Sequence, residues 1–223
     1  MKTIRTKGFT LVEVLVIIVM LGLFLALIPH MLFDGNMKSR AAVAACMNNQ
    51  KEINLSLHYW AGDNGNLFPW QVSTNDGGTK ELVSDNQVIS QFEPLVIVLK
   101  GSYPFYCPTD KVKSRPSEIG SLDETNISYF VSVDSALTNG ATRILTGDRH
   151  LQAANNPVKP GLFVYSNGMQ MGWTEELHDT APNSPAGTIS FVDGHVEFFS
   201  TKSATLTTVF NRQNSTGERL LVP

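Results

Sequence analysis

Charged residues are scarce in this sequence, 17% of 223, and their near balance leaves a net charge of −3. No broad basic surface is available to meet nucleic acid, so no nucleic-acid partner is expected. Hydrophobic residues make up 42% of the chain. That is enough core material to exclude a mainly disordered polymer. No internal repeat runs through the sequence, and it carries no nucleophile elbow, phosphate-binding loop or H-E-x-x-H pair. No motif therefore marks it as an enzyme, and no cofactor is expected. Cysteine is nearly absent, with Cys46 and Cys107 standing 61 positions apart. The length suits one ordinary domain, or one domain with an anchor.

What is present is concentrated at the N-terminus. Lys2, Arg5 and Lys7 precede a long apolar run, and no acidic residue comes before Glu13. From Phe9 to Ile28 there are 20 residues, with Thr10 and Glu13 the only clearly polar ones. As a helix this run reaches roughly 30 Å, enough to cross a bilayer core. The basic flank places the N-terminus in the cytoplasm and everything after Pro29 outside. The run exceeds the roughly 7–15 apolar residues of a secretory signal, and Leu27-Ile28-Pro29-His30 is a poor cleavage site of the A-x-A type. A plain anchor is opposed by Glu13, whose carboxylate costs about 2.5–3.5 kcal/mol inside a membrane unless it meets a cation. Cleavage after Gly8 would supply one, the new α-amino group of Phe9. Without residues 1–8 the chain keeps 14 basic and 20 acidic residues, a net of −6.

Lys7-Gly8-Phe9-Thr10-Leu11-Val12-Glu13 resembles the cleavage and methylation site of type IV pilins and type II secretion pseudopilins. The resemblance implies that a prepilin peptidase cuts between Gly8 and Phe9 and methylates the Phe9 amine. It also implies that Glu13 pairs with the Phe9 amine of an adjacent subunit during assembly. Pro29 then corresponds to the proline that kinks pilin helices.

Beyond Pro29, Asp34-Gly35-Asn36 reads as a break or loosened turn, and helix signals run from Met37 to about Ala61. Ala42, Cys46, Asn49, Ile53, Leu57 and Trp60 form one face at three/four spacing, expected to pack on a sheet. Lys38, Arg40, Gln50 and Lys51 are expected to stay largely wet. Gly62-Asp63-Asn64-Gly65-Asn66 ends the helix. Asp63, Asn64 and Asn66 carry oxygens suited to calcium, but no glutamate stands at the EF-hand position, and no metal is expected. Residues 71–120 are loop-rich, with an apolar stretch at Phe92–Leu99. Strands are expected at Ile127–Val133, Arg143–Thr146 and Leu162–Tyr165. A hairpin is expected at Thr188–Phe199, where Asp193-Gly194 as a two-residue turn would face Phe191 to Val196 and Ile189 to Phe198. The tail from Asn211 looks frayed.

The topology puts both cysteines in a disulfide-permissive space. A bridge would staple the sheet-side loops to the helix, and two buried free thiols are the alternative. Asp148, His150, His178, Asp179, Asp193, His195 and Glu197 are of types that suit a divalent metal or acid–base work. No established spacing ties them together, and catalysis is not expected. Ile189–Glu197 also resembles a C-terminal signature of prepilin-like proteins, in which a histidine precedes the aspartate–glycine pair by nine intervening residues. Here His178 stands 14 residues clear of Asp193, so a shared role for it does not carry over. The Cys107-Pro108 and Cys46-x-Asn48-Asn49 contexts fit the same group.

The expected architecture is α+β and pilin-like: a long N-terminal helix, transmembrane at its start, packed farther on against a mostly antiparallel sheet. Its expected segments are a leader at 1–8, a transmembrane and assembly helix at 9–29, the outer half of the helix at 30–62 and a loop-rich β domain at 63–223. The expected function is structural, a subunit of a pilus-like or pseudopilus fibre. Expected partners are copies of itself, other pilin-like subunits, the prepilin peptidase, the inner-membrane assembly platform and the membrane. A rival is a minor subunit that binds substrate, surface or ion outside the cytoplasm.

Overall fold

The computed structural model describes residues 10–32, 35–99, 104–116, 122–174, 177–178, 185–200, 204–213 and 217–223. The leader with Gly8 and Phe9, as well as Asp34 and Asp179, lies outside the described residues, and so do the side chains of 26–38. The chain divides into two compact units, Met1–Lys38 and Ser39–Pro223. In the first, helix α1 spans Leu11–Leu32, and its backbone stays helical past Pro29. Helix α2 spans Gly35–Asp63, so Gly35 and Asn36, expected in a break or loosened turn, are helical instead. Everything from Ser39 onward belongs to the second unit.

The second unit is α+β. Among the described residues, nine strands form two antiparallel sheets: β1 (Tyr129–Ser132), β2 (Ile144–Asp148), β3 (Leu151–Ala153), β4 (Asn156–Pro157), β5 (Gly161–Tyr165), β6 (Met171–Trp173), β7 (Ala186–Phe191), β8 (Val196–Ser200) and β9 (Glu218–Val222). The main sheet runs β5-β9-β1-β2-β7-β8 and the small one β4-β3-β6. Side chains alternate across a strand, and the two cores follow that alternation. Tyr129, Val131, Leu145 and Leu221 join Cys46, Ile53, Leu57 and Trp60 of α2 in one core. Phe130, Ile144, Leu220 and Val222 join Trp173 and Phe210 in the other. The main sheet is thus covered on one face by α2. On the other it is covered by the small sheet and helix α4, Ala204–Asn211. Helix α3, Ile89–Leu99, holds the apolar stretch of the loop-rich region and buries Phe92 and Leu95 in the first core.

Three further expectations need correction. Gln50 is not wet: it is fully buried, donating from Nε2 to the Thr188 carbonyl at 3.2 Å and Thr188 Oγ1 at 2.6 Å. Asn54, one turn on, donates to the Phe191 carbonyl at 2.6 Å, and the His58 ring lies 2.6 Å from the Val192 carbonyl. A polar row at i, i+4 and i+8 therefore runs beside the apolar stripe, and amide side chains serve carbonyls where the helix meets a strand end.

The β7–β8 hairpin is slipped by one residue from the expected register. Ser190 faces Val196, and Ile189 faces Glu197. The Phe191 amide donates to the His195 carbonyl at 3.0 Å and the Gly194 amide to the Phe191 carbonyl at 2.9 Å, with Gly194 at φ 92°. This is a three-residue loop with glycine in the left-handed position, the next most favoured hairpin connection after the two-residue turns. Sequence alternation could not separate the two because β7 is buried along its whole length, on both faces.

The tail is not frayed. After Asn211 the chain returns as β9, between β5 and β1, with Leu220 and Leu221 fully buried. Five residues of strand carry little sequence signal, but pairing on both sides supplies the stability that propensity lacks.

Candidate functional site

The described part of the N-terminal apolar run begins at Thr10 and enters α1 at once. Thr10 is its N-cap. The Glu13 amide donates to Thr10 Oγ1 at 3.3 Å, and the Glu13 carboxylate accepts from the Thr10 amide at 2.8 Å and its hydroxyl at 2.9 Å. This is a capping box, Thr-x-x-Glu, which satisfies first-turn donors that the helix itself cannot. Glu13 thus holds the helix start, and it is exposed like its neighbours. Every residue from Thr10 to Leu25 is exposed, including Leu11 at 82% and Phe24 at 66%. So much continuous apolar surface requires lipid or other protein to cover it. Gly8 and Phe9, the expected cleavage and methylation residues, lie outside the described residues, as does the Pro29 side chain.

A second cluster lies inside the globular unit. Cys46 of α2 and Cys107 are joined in a disulfide with Cα atoms 5.2 Å apart, tying the helix to the 104–116 segment. Against it stands His178, held at φ 51° and 2% exposed. Its Nε2 is 3.5 Å from Cys107 Sγ and 3.2 Å from Asp148 Oδ2, and its Nδ1 is 3.3 Å from Thr109 Oγ1. Thr109 Oγ1 in turn lies 3.0 Å from Cys107 Sγ. Asp148, at the end of β2 and fully buried, also accepts from the Thr188 amide at 2.6 Å and hydroxyl at 2.8 Å. The Gln50–Thr188 contacts extend the network to α2.

The remaining groups are placed around this cluster by the strands. Burial pushes the His150 imidazole down to about 4, although nearby Asp148 opposes the shift. Its ring stacks on Trp173 at 4.9 Å, and its Nε2 lies 2.9 Å from the Ala186 carbonyl. Tyr129 faces Asp148 across β1 and β2, and burial, reinforced by that carboxylate, drives its phenol well above the usual range. Burial would raise the Asp110 carboxyl, but the Arg149 fork at 2.8 and 3.0 Å and the Lys113 and Val112 amides outweigh it and hold it below its ordinary value.

Of the chemically suggestive residues, the fold collects Asp148, His150 and His178. The His150 and His178 rings are 6.4 Å apart. It leaves Asp193, His195 and Glu197 on the hairpin, where Asp193 Oδ1 bonds His195 Nδ1 and the His195 ring stacks on Phe191 at 4.2 Å. Buried Thr188 and Gln50 and half-exposed Thr109 complete the cluster without having stood out in the sequence. Single hydroxyls and amides carry no spacing signal. Asn64 and Asn66 serve the end of α2: their amides reach the Ala61 carbonyl at 3.0 and 2.8 Å, with Gly65 and Asn66 at positive φ.

Residues 4–29 match the family described as the prokaryotic N-terminal methylation motif, the signature of type IV pilins and pseudopilins. The motif supports a type IV pilin-like or pseudopilin subunit, and it implies prepilin peptidase processing and assembly with other pilin subunits. It points to an inner-membrane-anchored, pilus-associated chain, while among the described residues no helix is long and apolar enough to cross a membrane. No curated protein and no solved structure matches the chain.

Proposed function

We propose that this protein is a body subunit of a type IV pilus-like or pseudopilus fibre, processed between Gly8 and Phe9 and assembled through its N-terminal helix. The observation that carries the reading is α1 itself, capped at Thr10 and Glu13 and exposed at every residue from Thr10 to Leu25. In the membrane that apolar surface faces lipid. In the fibre it faces the same helix of neighbouring copies, where packing replaces lipid contact. Cleavage places the N-methylated Phe9 amine one turn from Glu13, so an adjacent copy can offer a cation to the carboxylate. That pairing removes most of the cost of holding a charge among apolar helices and sets the axial stagger.

Intact mass and N-terminal fragmentation of the membrane-extracted protein test this. Removing eight residues from 223 leaves 215, and the expected species starts with N-methyl-Phe9. An uncut Met1, or a cut near His30, refutes the reading.

An open groove of about 570 Å³ between α2 and α3, with exposed Leu55, Tyr59 and Ile97, favours a second reading, a minor subunit that binds a ligand outside the cytoplasm. Copy number separates the two. A body subunit is abundant in sheared surface or periplasmic fractions, and a minor subunit is scarce.

A further inference from the structure

Cys46, Cys107 and His178 are all buried, and their donor atoms lie within 4.8 Å of one another. We infer that the dithiol form of this chain holds one zinc ion through the two thiolates and His178 Nε2, with Asp148, whose Oδ2 is 3.2 Å from that nitrogen, beside the fourth position. The disulfide and the ion are alternative cross-links between α2 and the 104–116 segment.

Two of the separations match edges of a tetrahedron. With Zn–S near 2.3 Å and Zn–N or Zn–O near 2.0–2.1 Å, ligand atoms stand about 3.6 Å apart for a sulfur–nitrogen edge and about 3.3 Å for a nitrogen–oxygen edge. The Cys107 Sγ to His178 Nε2 and His178 Nε2 to Asp148 Oδ2 separations, 3.5 and 3.2 Å, are already such edges. The two sulfurs must part to about 3.8 Å, which turns their side chains about the Cα–Cβ bonds. Geometry at the nitrogen also favours a cation. Two acceptors converge on Nε2, which carries at most one proton, while Asp148 Oδ1 has no partner among the described residues. A metal ion in place of that proton meets sulfur and carboxylate together.

The outer contacts are those a zinc-bound histidine needs. With its Nε2 lone pair on the ion, His178 carries its proton on Nδ1 and donates to Thr109 Oγ1. The Thr109 hydroxyl then donates to Cys107 Sγ, and a thiolate accepts that bond better than a disulfide sulfur does. Asp148 is fixed by the Thr188 amide and hydroxyl. Binding releases one proton from each thiol and leaves the zinc charge unchanged. Conversion to the disulfide passes two electrons from the thiolates to a dithiol–disulfide oxidant, whose own disulfide is reduced, and the ion departs. Ion and disulfide thus exclude each other.

The test uses the full chain in detergent, reduced with a phosphine, incubated with zinc or cobalt(II) and desalted. Bound metal is then counted by mass spectrometry. One zinc per reduced chain and none per oxidised chain are expected, with the cobalt form showing thiolate charge-transfer absorption. Cys46→Ser with Cys107→Ser should abolish both. Thr109→Val, at a half-exposed position outside the ligand set, should weaken zinc affinity about 10–100-fold while leaving the oxidised protein folded. His178→Asn, chosen because asparagine tolerates positive φ, should lose the ion. A reduced chain that retains no stoichiometric zinc, folded or not, overturns the inference. So does a His178→Asn chain that binds zinc as tightly as the wild type.

Discussion

Gln50 offers a direct measure of how α2 is fastened to the sheet. Replacing it by alanine removes two donated hydrogen bonds, to the Thr188 carbonyl and to Thr188 Oγ1. Each contributes about 1 kcal/mol net. The substitution also leaves a small void in a position of zero exposure, worth about 1 kcal/mol per lost methylene. One term opposes these: Gln50 Oε1 has no partner among the described residues, and its removal relieves that cost. The sum is a loss of about 2–3 kcal/mol. Lys51→Ala, at the exposed neighbouring position, is the control and should stay within about 0.5 kcal/mol of wild type. All three tryptophans, Trp60, Trp70 and Trp173, lie in the globular unit and are buried, so intrinsic fluorescence of the detergent-solubilised full chain follows that unit alone. With a urea slope of about 2–3 kcal/mol per molar, Gln50→Ala should lower the midpoint by roughly 1 M. If its midpoint matches that of Lys51→Ala, the amide ridge contributes nothing and the account of helix docking is wrong.

The disulfide closes a loop between positions 61 apart, and chain entropy alone gives it about 4 kcal/mol; Cys46→Ser with Cys107→Ser should destabilise the oxidised protein by that amount in the same titration. A Cβ on Gly187 would stand 2.7 Å from the Trp173 ring and one on Gly147 2.6 Å from the Phe130 ring. Gly187→Ala and Gly147→Ala should therefore each cost about 1–3 kcal/mol, whereas Gly62→Ala, with open space around it, should be neutral or stabilising by thermal melting. The folded protein keeps His150 neutral down to about 4, while the unfolded imidazole titrates near its ordinary 6.5. Its contribution to stability is therefore fully present above that value and is lost as pH falls from about 6.5 toward 4, about 2 kcal/mol by pH 5. Urea midpoints taken across that range should show the slope, and His150→Asn should flatten it.

The N-terminal signal was fully legible in the sequence, because its physics is local. A run of apolar residues, a basic flank and a carboxylate one turn inside it need no tertiary contact to define their meaning. Even the capping box at Thr10 and Glu13 is a four-residue pattern. Much of the apolar stripe of α2 was equally legible, since a 3.6-residue period fixes which side chains share a face, and Cys46, Ile53 and Leu57 are buried on it. Several strands could be placed for the same reason. The hairpin register could not, because β7 is buried on both faces and alternation there carries no information about the loop. Gln50 was misread because a polar residue beside an apolar stripe is wet by default and dry only if a partner waits across the interface. Thr188 is that partner, 138 positions away. The burial of β9 depends on β5 and β1 lying on either side of it, a non-local pairing that five residues cannot announce. The same holds for the inner cluster: Cys46, Cys107, Asp148 and His178 are scattered over more than half the chain. Only the closing of helix, loop and sheet brings two sulfurs, an imidazole and a carboxylate to one point.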